Sequence, residues 1–336
     1  MSHAGRNPHP TRREFDLTMD AILIENLTKQ FEPGWPWQQP VRALNGLSLS
    51  VQQGEIYGFL GPNGAGKTTT LKILLGLMRA TSGTAEIFGK PSGDVEVRRR
   101  IGFLPESPYF YDYLTAEEFL TFYAHMAGLD RTQVAGRVTH LLEMVGLVEA
   151  RTRQLRKFSK GMLQRVGLAQ ALIHDPELVI LDEPMSGLDP VGRKQIRDII
   201  LGLREQGKTV FFSTHIIPDV EVMCDRVGIV VKGRLLAAGR VDELVNHATT
   251  RSVEIVCEGI LVEDQPGIAQ AAGRVYQRGR QGLILLHDPN KLDDVLAAIR
   301  AGGGRLLSVT PQKGSLEELF FQQAETRPEA PREAGG

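Results

Sequence analysis

The sequence predicts an α/β fold, a mostly parallel sheet flanked by helices, followed by a smaller α+β unit. Three observations carry that prediction. Short apolar stretches alternate with stretches of helical periodicity from Ala21 to about residue 247. A glycine-rich run joins one such strand to one such helix, and two adjacent carboxylates close another strand. Beyond a break at "NHATT", residues 246–250, the pattern changes to β-α-β-β-α-β.

Taken in order, "AILIENLTKQF" and "LSLSV" cluster or alternate apolar residues as strands do, and "EIYGFLG" is a short buried strand ending in glycine. "KTTTLKILLGLM" repeats apolar residues at helical spacing. Residues 115–173 are mostly helical, in "AEEFLTFYAHMAG", "VAGRVTHLLEMVG" and "MLQRVGLAQALI". There follow strand "ELVILD", helix "VGRKQIRDIILGLREQG", strand "TVFFSTH", and "RVGIVVKGRLLAAG", two strands across Lys232-Gly233. Alternation of this kind implies a largely parallel sheet covered on both faces. Past the break come strand "SVEIVCE", helix "PGIAQAAG", strands "RVYQRG" and "GLILLH", helix "NKLDDVLAAIRAGG", strand "RLLSVT" and helix "SLEELFFQQ". That order is ferredoxin-like. The expected organisation is a large domain over residues 20–248, with a helical subdomain at about 106–175, and a small domain over 250–324. Residues 1–19 and 325–336 are polar and rich in Pro, Gly or charge, and read as disordered.

Composition excludes several classes. Hydrophobic content of 42% and charged content of 24% are those of a soluble globular chain. Thirty-nine Lys and Arg against 40 Asp and Glu leave a net charge of −1, which argues against a nucleic-acid partner. Cys224 and Cys257 are too few for a disulfide framework and lack metal-ligand spacing, so a reducing compartment is expected. The N-terminal basic residues have no apolar segment behind them, so no secretory signal is expected. No run of about 18 apolar residues occurs, so the chain is not expected to span a bilayer by itself.

"GFLGPNGAGKTTTLKILL" contains Gly61-x-x-x-x-Gly66-Lys67-Thr68, a phosphate loop between an apolar strand and a helix. The run Gly61, Pro62, Asn63, Gly64, Ala65, Gly66 can turn successive backbone N–H groups into one concavity for phosphate oxygens, and the helix through Lys67, Thr68 and Thr69 adds its positive end. Lys67 can reach the outer phosphates, and the Thr68 hydroxyl can ligate Mg²⁺. This explains "LVILDEPMSGLDP". Paired charge at the end of a buried strand is costly unless a cation or substrate waits there. Asp182 is suited to the Mg²⁺ of a triphosphate, and Glu183, pointing elsewhere, to orienting or deprotonating the attacking water. His215 ends the next apolar strand, at the same carboxyl edge where ligands of open α/β sheets bind.

With these motifs in place, residues 21–247 resemble the ATP-binding subunit of ABC transporters. The likeness includes "FSKGMLQR" (158–165), similar to the family's signature loop, whose Ser159 is a good helix N-cap and whose Gly161 permits close approach. The resemblance implies that this loop closes on the γ-phosphate held by another subunit's phosphate loop, so that two chains sandwich two ATP molecules. "SGLD" (186–189) looks like the family's D-loop, which accounts for the third acid, Asp189, as a contact across that dimer. "IGFLPESPYF" stands where the family's Q-loop belongs, with Glu106 in place of glutamine but still able to offer oxygen to Mg²⁺. Lys160 and Met162 depart from the usual signature. Phe31 sits where the family stacks an aromatic on adenine, and Trp35 or Trp37 in the insert "EPGWPWQQP" is an alternative. "PYFYDYL" (108–114) reads either as a local core cluster or, by resemblance, as part of a groove for a membrane subunit. "RTRQLRK" (151–157) reads as a solvated face that can also raise local potential for ATP.

The resemblance therefore implies a P-loop ATPase cassette with ATP and Mg²⁺ as ligands. His215 would sense the γ-phosphate. Its partners would be a second, identical or different, ATP-binding subunit and a separate membrane permease working in export, which would hold the chain at the cytoplasmic side of the membrane. Two rivals differ in kind. A P-loop GTPase is suggested by "NKLD" (290–293) and "DPVG" (189–192). However, "NKLD" lies past the break with Asn290 reading as a helix N-cap, and "DPVG" opens a helix. A non-transport ABC-type ATPase or nucleotide-dependent regulator is disfavoured by the single phosphate loop, the absence of sustained heptads, and Glu183, which pure sensing does not require.

Overall fold

The computed structural model describes residues 20–32, 39–247, 253–262, 265–286, 288–311 and 316. The predicted tails, Trp35 and Trp37, the segment 248–252 and all of the predicted terminal helix except Leu316 lie outside the described residues.

The first half contains strands β1 (Asp20–Phe31), β2 (Val41–Gln52), β3 (Ile56–Leu60), β4 (Ser82–Ile87), β5 (Lys90–Pro91) and β6 (Ile101–Leu104), with helices α1 (Lys67–Leu74) and α2 (Val95–Arg98). Helices α3 (Ala116–Met126), α4 (Arg131–Met144) and α5 (Lys160–Ala171) follow. Then come β7 (Leu178–Asp182), α6 (Pro190–Glu205), β8 (Thr209–Thr214), α7 (Ile217–Met223), β9 (Arg226–Val231), β10 (Arg234–Arg240) and α8 (Val241–His247). The last part holds β11 (Val253–Glu258), α9 (Pro266–Ala271), β12 (Arg274–Arg278), β13 (Gln281–Leu286), α10 (Leu292–Ala301) and β14 (Arg305–Pro311).

The central sheet has six strands in the order β10-β9-β3-β8-β7-β6, parallel from β9 to β6, with β10 antiparallel at one edge. β3 (IYGFL), β7 (LVILD) and β8 (TVFFST) are buried at every position, as strands covered on both faces must be. Register decides where the chemistry falls. Leu60 pairs with Thr214 and Asp182 with Ser213, so three strands reach their carboxyl ends at one level.

β1 and β2, both read as strands from their apolar pattern, lie outside the parallel sheet, in a separate antiparallel sheet of order β2-β1-β4-β5. Local periodicity identifies a strand but not its partner. Residues 82–104 carry three strands and a helical turn that the pattern does not announce. β4, SGTAEI, buries only Ile87, and β6 is four residues long. α1 also stops at Leu74 instead of running on to Met78. Gly76 adopts φ 66°, and the amides of Gly76 and Leu77 turn back to the carbonyls of Ile73 and Lys72, a helix stop that needs a left-handed residue.

α3, α4 and α5 close over one apolar core with Phe119, Leu120, Val138, Leu141, Val166 and Leu168 at its centre. Thr115 and Glu118 form a reciprocal capping box at the start of α3, and Asp130 accepts from the Thr132 amide at the start of α4. Each such cap is worth about 1 kcal/mol. Truncating the fully buried Phe119 to Ala would cost about 3–5 kcal/mol.

In the last part an antiparallel sheet of order β12-β13-β11-β14 packs its buried residues Ile255, Ile284 and Leu286 with Ile268 of α9 and with Val295 and Ile299 of α10. Asn290 is not the N-cap of α10. Residues 289–291 form a 3₁₀ turn capped by Asp288, whose carboxylate accepts the Asn290 amide, and an aspartate two residues earlier captures that amide before a helix can start there. Leu316 is fully buried with Val220, Val227 and Ile229. Cys224 and Cys257 are free thiols. Among the described residues, no helix is long and apolar enough to cross a membrane.

Candidate active site

β3 runs into the loop of residues 61–66 and then into α1, whose N-cap, Gly66, has φ 103° and supplies no side-chain cap. The first-turn amides of α1 are therefore left for an incoming anion. Glycine is required at two points. A Cβ on Gly61 would lie 2.4 Å from the Val230 carbonyl, and one on Gly66 would lie 2.6 Å from that of Ala43. The loop is pinned by the Gly61 amide donating to Thr214 at 3.1 Å and the Gly233 amide donating to Ala65 at 3.0 Å. Lys67 is buried, and its ammonium donates to the carbonyls of Gly61 (2.7 Å) and Pro62 (3.3 Å).

Two strands away, Asp182 ends β7 with only 4% of its surface exposed. Its Oδ1 accepts from the Ser213 hydroxyl at 2.6 Å, while Ser213 Oγ accepts the Glu183 amide at 3.0 Å. One hydroxyl thus joins the two acids. Glu183 adopts φ 47°, a left-handed conformation that costs a side-chain-bearing residue on the order of 1–3 kcal/mol and turns its side chain away from that of Asp182. Its Oε2 accepts from His215 Nδ1 at 2.9 Å. Its Oε1 lies 3.1 Å from the Lys67 ammonium as an ion pair and accepts no hydrogen bond among the described residues.

These groups border one cleft of about 690 Å³, lined by Ala43, residues 62–64 and 66–69, Glu106, Glu183, Ser186 and His215. The selected residues 62–64 and 66–69, Glu183, His215 and Glu106 are thereby brought together, while Gly61 and Ala65 of the loop and Asp182, beside Glu183, are buried behind the lining. Thr68 is exposed to the cleft. Its hydroxyl and the Asp182 carboxylate are hard oxygen donors, the chemistry that suits Mg²⁺ held largely by a nucleotide's own phosphates. Among the described residues, no group of three or more His, Cys, Asp or Glu gathers to hold a metal ion alone.

Four selected residues lie elsewhere. Ser159 caps α5, accepting the Met162 amide at 3.3 Å, and Gly161 follows in the same turn. Asp189 caps α6, accepting the Gly192 amide at 3.1 Å. None of these three lines the cleft. They share another face, where Lys160 lies so close to Gly187 that a Cβ there would meet its ammonium at 2.3 Å. Phe31 is also outside the cleft, with the Lys29 ammonium 5.2 Å from its ring centroid. Sequence reasoning missed Ser213, and it read Ser186 only as part of the loop 186–189 facing a partner, whereas Ser186 lines this chain's own cleft. Ser213 leaves only the trace of a serine near the end of β8, TVFFST, whereas Ser186 joins the cleft through the turn after β7.

Comparison with known proteins gives a consistent result. Residues 44–186 match the family model described as ABC transporter. An uncharacterized ABC transporter ATP-binding protein of Synechocystis sp. is 45% identical over 95% of this chain and 89% of its own length. The bacitracin transport ATP-binding protein BcrA of Bacillus licheniformis is 46% identical over 84% of this chain and 92% of its own. The linearmycin resistance ATP-binding protein LnrL of Bacillus subtilis is 34% identical, with 83% and 92% covered. Among solved structures, an ATP-binding subunit of an ABC transporter superposes with TM-score 0.59 at 32% identity, covering 68% of this chain and 92% of that one. A dimeric ATP-binding cassette in a post-hydrolysis state with ADP and Pi has the same TM-score at 26% identity, covering 65% and 98%.

Proposed function

This chain belongs to the ATP-binding subunits of ABC transporters, and from that membership we propose how its residues divide the work of an ATPase that dimerises around Mg²⁺-ATP and drives a separate permease in export. The loop amides and Lys67 hold the phosphates, with Thr68 and Asp182 offering oxygens to Mg²⁺ and Glu106 at the cleft margin. Mg²⁺ would neutralise charge on the phosphate oxygens. Glu183 orients and deprotonates the attacking water, and His215 holds Glu183 in place and reads the γ-phosphate. Ser159, Gly161 and Asp189 serve the site of the partner subunit.

One observation carries this reading. Glu183 is a buried carboxylate at the margin of a phosphate-loop cleft, with one oxygen fixed by His215 and the other held, among the described residues, only by its ion pair with Lys67 at 3.1 Å. A general base needs a fixed orientation and an oxygen able to accept a proton, and Lys67, once engaged by the phosphates, would release Oε1 for that purpose. Likeness to a bacitracin transport and a linearmycin resistance protein supports export, and the permease would hold the chain at the cytoplasmic face of the membrane. For the permease contact the exposed aromatics Tyr109, Tyr111, Tyr113 and Phe122 are the candidates. Their rings follow one another at centroid distances of 5.8–6.2 Å, and exposed aromatic clusters of this kind mark interaction surfaces.

The test is nucleotide binding and turnover by the purified chain. ATP should bind and be hydrolysed with Mg²⁺, Lys67→Ala should abolish binding, and GTP should compete poorly. GTP displacing ATP at a tenth of its concentration or less would overturn the reading.

A further inference from the structure

Asp219 is an acid that the site described so far does not use. It lies in the first turn of α7, two residues into the helix that starts just after His215, and is 1% exposed. Its Oδ2 accepts from Arg193 at 2.6 Å and its Oδ1 from Arg197 at 3.3 Å. Both arginines belong to α6, four residues apart and so on one face, and α6 begins directly after the loop Ser186–Asp189.

Two guanidinium groups share one carboxylate, and Arg197 Nε is buried without a hydrogen-bond partner among the described residues. An apolar contact of similar volume would hold the helices as well or better. What the ion cluster adds is direction, because it sets the register of α7 against α6. α7 needs that help. It has seven residues and no side-chain cap, too few to be stable alone. Val220, Ile217 and Met223 pack it into the apolar cores, and Glu221 accepts the Leu316 amide at 2.9 Å.

We propose that Asp219 is a positioning residue for ATP hydrolysis. Through Arg193 and Arg197 it locks the helix behind the Ser186–Asp189 loop to the helix behind His215, so that loop and imidazole shift as one body. A partner pressing on the loop then moves His215 against Glu183. This rests on the roles given above to His215 and Glu183, and the test separates the two.

Single-turnover hydrolysis and ATP affinity are measured for Asp219→Asn, Asp219→Glu, Arg193→Ala, His215→Ala and the double variant His215→Ala/Asp219→Asn, with thermal denaturation as the folding control. Asp219→Asn should lower the rate roughly ten- to a hundredfold, the size expected of a misplaced catalytic group, with ATP affinity within about twofold, and Asp219→Glu should recover part of the loss. Arg193→Ala, which breaks the same contact from the half-exposed side, should act in the same way should Asp219→Asn fold poorly. In the His215→Ala background Asp219→Asn should add little, because both changes act through one group. Equal losses in both backgrounds, or parental rates for folded Asp219→Asn and Arg193→Ala while His215→Ala is impaired, overturn the proposal alone. A parental rate for His215→Ala overturns the reading of His215 and this proposal with it.

Discussion

His215 Nδ1 donates to Glu183 Oε2 across 2.9 Å, joining the residues that follow β8 and β7. The two strands are hydrogen-bonded neighbours in parallel register, so the pair is set by sheet pairing and not by local sequence. Oε1, the other oxygen, faces the Lys67 ammonium at 3.1 Å. In the proposed division of work, charge in this position serves turnover and the phosphate loop serves nucleotide affinity.

Glu183→Gln keeps the shape and the hydrogen bond to His215 but removes the basic oxygen. It should bind ATP with near-parental affinity and lose roughly 10²–10⁴-fold in turnover, and it should accumulate as an ATP-bound dimer. Steady-state hydrolysis and sedimentation with ATP check both, and a near-parental rate would remove Glu183 from its role.

The aromatic run at residues 108–114 divides between core and surface. Phe110 packs 5.4 Å from Phe119 against the helical core, while Tyr109 is 83% exposed. Phe110→Ala should therefore destabilise the chain by a few kcal/mol. Tyr109→Ala together with Tyr113→Ala should leave the melting temperature and basal hydrolysis unchanged but weaken recovery with membranes containing the permease. Thermal denaturation and co-sedimentation with those membranes separate the two.

His174, just after α5, donates through Nε2 to the Ile101 carbonyl at 3.0 Å, and burial holds its pKa below the ordinary 6.5. The folded chain then binds fewer protons here than the unfolded chain, so stability is complete above about pH 6.5 and falls as the pH drops below it. His174→Gln should flatten that slope in urea titrations between pH 7 and 5. An unchanged slope would assign the pH dependence to other groups.

The parts legible in the sequence are those whose chemistry needs contiguous residues. Gly61–Thr68, Asp182–Glu183 and the Ser159 cap each announce themselves within eight positions or fewer, and the β-α-β-β-α-β order of the last part follows from short-range periodicity. What stayed hidden depends on pairing at a distance. β1 and β2 read correctly as strands, but their partner β4 is too exposed to announce itself, so the antiparallel sheet was missed. Ser213 bridges Asp182 and Glu183 only because β7 and β8 are in register. Asp219 meets Arg193 only because α6 and α7 lie together, which no local pattern encodes.

In the proposed dimer, one protomer's phosphate loop is completed by the N-terminus of the other's α5. A structure of Glu183→Gln with Mg²⁺-ATP decides whether it forms. The predicted result is a two-fold dimer in which each γ-phosphate lies between Lys67 of one protomer and Ser159 and Gly161 of its mate. ATP held at Lys67 with the N-terminus of α5 facing solvent in every protomer, or a dimer formed through other surfaces, would contradict it.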